Sequence, residues 1–146
     1  AVCDAAFFKG TDLVVTGSSD EAVEEALYLT RFARKVTLIA PAAELRAPQE
    51  LVAELETKPN AEILRGTVVR EVLGEERVSA VRYMTRGKKE QELAVSGVFV
   101  YLQGGVPVTD WLQGQLELSE TGCLRVDSEY QTAIPGIFAV GDVLCL

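Results

Sequence analysis

The chain has 146 residues, with 22 acidic and 14 basic side chains, no histidine and a net charge of −8. A hydrophobic share of 48% and a mean hydropathy of +0.15 describe a globular chain able to bury a core without disulfide staples. The acidic balance excludes general electrostatic binding of nucleic-acid phosphates. The lack of histidine removes Ser-His-Asp and Cys-His catalysis, and imidazole metal ligation, from these residues. No apolar run is long enough to cross a bilayer and no basic-then-apolar leader is present, so a cytoplasmic protein is expected. Cys3, Cys123 and Cys145 are too far apart for zinc-ligand spacing or a disulfide framework, and Cys123 and Cys145 read as small, buried, inert side chains.

The run from Thr11 to Thr16 is β-branched and apolar, ends at Gly17, and predicts a buried strand. Apolar residues at Ala22, Val23, Ala26, Leu27, Leu29, Phe32 and Ala33 then predict a helix, capped by Ser19 or Asp20. Its first turns are acidic, and Arg31, Arg34 and Lys35 at the far end suit the helix dipole. Lys35 to Ile39 predicts a second strand, completing a βαβ unit of ordinary length. A second helix is expected over Pro48 to Glu56 and a third strand over Ala61 to Leu64. Three further strand candidates, Thr67–Leu73, Val78–Met84 and Gln91–Val95, are separated by polar turns and predict an antiparallel meander, with Lys88 and Lys89 in a solvated hairpin turn. Val98 to Leu102, apolar throughout, is expected to rejoin the parallel sheet, and Trp111 with Leu112 to begin a short helix packed against it. The fold class is α/β: a parallel sheet flanked by helices, plus an antiparallel β-meander.

The stretch Ala1-Val-Cys3-Asp4, then a strand, Gly17 and Asp20-Glu-Ala-Val-Glu-Glu-Ala26, resembles bacterial-type (low-molecular-weight) thioredoxin reductases. In that family a Cys-Ala-x-Cys-Asp redox motif precedes such a stretch, and residues 1–4 match its last four positions. The resemblance places the partner cysteine just before Ala1. Thr132-Ala-Ile-Pro-Gly-Ile-Phe-Ala-Val-Gly-Asp142 is similar to the family's Thr-x-x-Pro-Gly-x-Phe-Ala-x-Gly-Asp signature. The resemblance implies a Rossmann-like FAD/NAD(P)-binding fold. It divides the chain into a hinge over 1–10, a nicotinamide-domain-like region over 11–131, and the start of a returning FAD-domain segment over 132–146. It further implies dithiol/disulfide chemistry with Cys3 as the flavin-facing thiol and Asp4 handling protons, against which stands an inert cysteine near a terminus. Gly141 and Asp142 would contact FAD in the intact protein, a homodimer acting on thioredoxin or a similar disulfide protein.

The family's Gly-x-Gly-x-x-Ala turn, which seats a dinucleotide pyrophosphate at a helix N-terminus, reads here Gly17-Ser18-Ser19-Asp20-Glu21-Ala22. Gly17 and Ala22 are kept, Ser19 replaces the glycine of close approach, and Glu21 adds a negative charge. At the end of the second strand, Ala40-Pro-Ala42 stands where NADPH-dependent members carry His-Arg-Arg, leaving Arg46 as the remaining phosphate partner. No acidic residue stands at Ala40 to bond the ribose of NADH. The loop Gln103 to Thr109 departs from the family's Gly-x-x-Pro-Asn-Thr by one extra residue. These departures imply impaired NADPH binding in an FAD-dependent oxidoreductase, with electrons from ferredoxin or another donor, as in flavin-containing ferredoxin–thioredoxin reductases. A degenerate but working NADH or NADPH site, and a vestigial docking or dimerisation domain, are the other readings. The fragment alone is expected to be inactive.

Overall fold

The structure is a computed structural model that describes residues 4–102 and 109–144. It divides into two compact units, residues 1–103 and 104–146.

The first unit is built on a four-stranded parallel sheet in the order β3-β2-β1-β7, with β1 Asp12–Gly17, β2 Lys35–Ala40, β3 Ala61–Arg65 and β7 Gly97–Tyr101. Helix α1 (Asp20–Leu29) carries the chain from β1 to β2, and α2 (Gln49–Thr57) from β2 to β3. A second sheet, β4 (Thr67–Gly74), β5 (Val78–Thr85) and β6 (Gln91–Ala94), is the antiparallel meander, and β7 then returns to pair with β1, Leu13 opposite Gly97 and Gly17 opposite Tyr101.

Alternation along the strands explains how both sheet faces are covered. Leu13 and Val15 of β1, with Val36 and Leu38 of β2, pack against Ala22, Val23, Ala26 and Leu29 of α1 and Leu55 of α2. Val14 and Ile39, on the opposite face, pack with Val81 and Val95, joined by Val69, Tyr83 and Leu93 of the meander. The meander is therefore a lid on one face of the parallel sheet. On its surface Arg82 stands between Glu71 and Glu92 across the neighbouring strands, and pairs with Glu71. Such exposed pairs set register more than they add stability.

The segment before β1 is fixed by one aromatic ring. Phe8, at the end of a 3₁₀ turn over Ala5–Phe8, stacks edge-on against Phe99 with ring centroids 5.6 Å apart. Its ring fills the space beside Gly97, where a Cβ would come within 2.7 Å of it.

Three expectations need correction. Helix α1 ends at Leu29, so Phe32 and Ala33 lie beyond it and no basic residue occupies its last turn. Arg34 pairs instead with Asp12 at 2.5 Å and Lys35 with Glu62 at 2.5 Å. In the second unit the residues around Trp111 form only a 3₁₀ turn, Asp110–Leu112, and Trp111 is 73% exposed rather than packed as core. Cys123 is buried as expected but is disulfide-bonded, not an inert thiol; Cys3 and Cys145 both lie outside the described residues. Having no thiol proton, its sulfur accepts from the Thr121 hydroxyl at 3.2 Å.

The second unit has a small core of Leu116, Leu124, Ala139 and Leu144. Beside it an apolar groove of about 560 Å³ is lined by Trp111, Phe138, Val140 and Val143, with Asp142 among its polar groups.

Because Leu38 is fully buried between β2 and both helices, Leu38→Ala is expected to destabilise the chain by about 2–5 kcal/mol. Urea unfolding followed by far-UV circular dichroism measures it, as a lower midpoint at unchanged slope.

Candidate functional site

Strand order reverses between β7 and β1, because α1 leads from β1 to the opposite neighbour β2. In open parallel sheets the crevice beyond such a reversal is where ligands bind. Gly17 closes β1 there, and its place cannot take a larger residue. A Cβ would lie 2.5 Å from the Tyr101 carbonyl oxygen and 2.8 Å from the Ala22 Cβ. Gly17 and Ala22 thus act together: the one lets β1 approach β7, the other lets α1 start directly above the turn.

Ser19, 5% exposed, is the N-cap of α1, its Oγ accepting from the Ala22 N–H at 3.4 Å. Asp20 Oδ1 accepts from the Glu21 N–H at 3.1 Å. Two amides of the first turn, which at a phosphate-binding helix start would point at an anion, are therefore satisfied by the chain's own side chains. Glu21 is exposed on the same turn.

The segment after β2 closes over this turn. The Ala42 N–H donates to Ser18 Oγ at 3.1 Å and the Arg46 N–H to the Ser18 carbonyl at 2.7 Å. Ser19 and Arg46 form an isolated parallel bridge. The cavity left between Ser18, Ser19, Pro41, Ala42, Arg46 and Leu102 has a volume of about 180 Å³. Ligand pockets run from about 300 to 1,000 Å³. Ala40 is fully buried at the end of β2, while Pro41 and Arg46 are exposed.

Of the remaining sequence candidates, Cys3 lies outside the described residues, as does the loop 103–108. Asp4 is exposed before the 3₁₀ turn and its carbonyl accepts from the Phe7 N–H at 3.0 Å. Gly141 and Asp142 are exposed in the second unit, at the start of a 3₁₀ turn over Asp142–Leu144. The structure thus brings Gly17, Ser18, Ser19, Asp20, Glu21, Ala22 and Arg46 together around one turn.

Sequence reasoning missed a polar pair beside that turn, a buried glutamate bonded by a half-buried tyrosine. Glu25 of α1 is 9% exposed, and its Oε2 accepts from the Tyr101 hydroxyl at 2.9 Å. Burial, the bond to Glu25, and the negative charges of Glu25 and Glu21 together push the Tyr101 phenol from 10.0 up to about 12. The signal was in the sequence: Glu25 falls within the apolar stripe of Ala22, Ala26 and Leu29.

The pyridine nucleotide-disulphide oxidoreductase family matches residues 2–145. The chain belongs to that family. Within it, the chain is similar to the thioredoxin reductase of Aquifex aeolicus, 43% identical over 145 residues, which cover 99% of this chain and 45% of that protein. It is also 43% identical to an alkyl hydroperoxide reductase component of Pseudomonas putida, over 97% of this chain and 27% of that one. Among solved structures, the Lactococcus lactis thioredoxin reductase in its FR conformation superposes with a TM-score of 0.81 at 36% identity, over 98% of this chain and 48% of its own. The chain spans about half the length, or less, of these relatives. The Rossmann-like parallel sheet with its meander is accordingly a thioredoxin-reductase-type FAD/NAD(P)-binding fold.

Gly17→Ala is expected to cost about 2 kcal/mol or more, since the clashing atoms include backbone; thermal unfolding measures it. The Tyr101 shift has its own signature. A neutral phenol favoured by the fold stabilises it fully below pH 10, and that contribution is lost as pH rises from 10 through about 12. Ultraviolet titration of wild type against Tyr101→Phe is expected to remove one tyrosinate transition near pH 12, and Glu25→Gln to lower that transition.

Proposed function

We propose that the chain is the nicotinamide-domain region of a thioredoxin-reductase-like, FAD-dependent dithiol/disulfide oxidoreductase whose NADPH site is impaired. The observation that carries this reading is the contact of the 41–46 segment with the serine turn. Ala42 and Arg46 spend their amides on Ser18, Ser19 spends its hydroxyl on the helix start, and a cavity of about 180 Å³ remains. A pyrophosphate entering there meets the Ser19 side chain, the carboxylates of Asp20 and Glu21, and one exposed guanidinium, Arg46. That leaves a 2′-phosphate a single charge-assisted partner among these residues. The residues present do not fit a dinucleotide.

In the intact protein Cys3 would form one half of a redox disulfide beside the flavin site, and Asp4 would hold the proton that accompanies its reduction. Bound FAD supplies the two-electron chemistry. Gly141 and Asp142 would meet it from the returning segment, where both are exposed and Gly141 has a φ of 83°, leaving its backbone open to close approach. The exposed apolar residues Trp111, Phe138 and Val140 beside Asp142 suit a face that packs on the rest of such a flavin domain. On this reading electrons reach the flavin from a ferredoxin-type or other donor, and the protein substrate is thioredoxin or a similar disulfide protein. The assembly would be a cytoplasmic homodimer; no helix among the described residues is long and apolar enough to cross a membrane.

Calorimetric titration of this chain with NADPH and with NADH is expected to show no binding up to millimolar nucleotide. A Kd below about 0.1 mM for either overturns the reading. Restoring the family's residues at four of these positions, as Ser19→Gly, Glu21→Ser, Pro41→Arg and Ala42→Arg together, is expected to bring NADPH binding into the measurable range.

A further inference from the structure

The second unit carries a disulfide that the proposed redox chemistry does not use. Cys123 is 4% exposed and disulfide-bonded. The chain has two other cysteines, Cys3 in the first unit and Cys145 in the second. The packing around Cys123 points to Cys145. Leu124, the residue after Cys123, donates its N–H to the Val143 carbonyl at 2.9 Å, and Leu124 and Leu144 belong to one core cluster. Cys145 follows Leu144 directly. One residue of chain spans about 3.8 Å, and a disulfide needs Cα atoms about 4.4–6.8 Å apart, so a cysteine leaving from Leu144 is within reach of Cys123.

The groups around Cys123 also suit its sulfur to the role of leaving group. Its N–H donates to Ser119 Oγ at 3.1 Å, the Ser119 and Thr121 hydroxyls bond at 2.9 Å, and Thr121 Oγ1 lies 3.2 Å from Cys123 Sγ. With Ser119 donating to Thr121, the Thr121 proton is left for the sulfur.

We propose that Cys123 and Cys145 form a reducible clasp on the Gly141–Leu144 turn, opened by exchange with a dithiol. The Cys123 sulfur is shielded, so a reductant thiolate attacks the Cys145 sulfur. The S–S bond breaks, and Cys123 leaves as a thiolate stabilised by the Thr121 hydroxyl. The reductant's second thiol then attacks the mixed disulfide and frees Cys145. The clasp has gained two electrons and two protons, and the dithiol has become a disulfide. Opening removes the covalent hold on the turn, which otherwise rests on Leu124 N–H to Val143 and on Leu144 N–H to the Gly141 carbonyl at 3.0 Å. The clasp does not depend on the proposed function; only its effect on a flavin contact at Asp142 does.

Trypsin separates the three cysteines, because cleavage after Lys9, Lys89 and Arg125 places them in residues 1–9, 90–125 and 126–146. Monomeric chain prepared without reductant and alkylated is expected to give peptide 90–125 linked to 126–146 by mass spectrometry. Dithiothreitol is expected to convert the link into two alkylatable thiols. Amide exchange at Leu124 and Leu144 is then expected to quicken by about tenfold or more, with Val14 and Val15 of β1 unchanged. Thr121→Val is expected to slow the reduction about threefold or more, and Thr121→Ser to restore it. A link from 90–125 to 1–9, or a free Cys123 thiol before reduction, overturns the pairing. Exchange unmoved by dithiothreitol, or quickened equally in β1, overturns the clasp. An unchanged reduction rate in Thr121→Val overturns the leaving-group role. Should the reduced chain precipitate, Cys145→Ser reports the open state by the same exchange measurement.

Discussion

The burial of β1 on both faces and both edges governs everything else in the first unit. Val14 and Val15 are completely buried, one facing the meander and the other the helices, while β2 and β7 occupy the two edges. A strand so enclosed has no freedom to accommodate bulk at its end. That is why the turn leaving it must be glycine, with an alanine opposite, and why the crevice beyond it forms where strand order reverses. The meander has to exist for the same reason, since without it Val14 and Ile39 would leave an apolar sheet face in water.

At the turn itself, the same few groups can serve either the protein or a ligand. A helix start offers unpaired N–H groups, and these are satisfied by side chains or by an anion, not by both. Here Ser19 and Asp20 take two of them, and Ser18 takes the amides of Ala42 and Arg46. Each such bond is worth about 0.5–1.5 kcal/mol net, and an N-cap serine about 1 kcal/mol. On the proposed reading, a dinucleotide would have to displace several of these bonds and bring its own negative charge against Glu21. On that same reading, substitutions that weaken the filled site strengthen the empty one, and stability gives no pressure to reverse them.

The strands and their order of appearance were legible because alternation and turn residues are local signals. Both parallel strands of the βαβ unit, the meander and the returning strand fall within a residue or two of where periodicity placed them. The end of α1 was not legible. Apolar spacing continues to Ala33, but the helix stops at Leu29 because Asn60 reaches across from the approach to β3. Its side-chain amide donates to the carbonyls of Thr30 at 2.9 Å and Ala33 at 3.1 Å. A cap supplied from some 30 residues away leaves no trace in a local window. Trp111 misled in the opposite direction: size and apolarity suggested core, yet the small second unit buries mainly leucines. The disulfide at Cys123 was likewise hidden, because wide spacing between cysteines says nothing about which chain segments return to each other.

These distinctions decide which motif positions carry information about a ligand. Gly17 and Ala22 match the dinucleotide pattern, but the structure accounts for both by packing alone: Gly17 by the Tyr101 carbonyl, Ala22 by complete burial against the turn. Their presence follows from the fold and would persist in a chain that bound nothing. Glu21 and Pro41, by contrast, are exposed. Ala40 belongs with the first group, because it is buried at the strand end and a larger residue there has no room without rearrangement. The retained glycine therefore argues for the family, whereas the exposed glutamate and proline argue about the cofactor. Counting matches to the motif would weigh all these positions equally and conceal the difference.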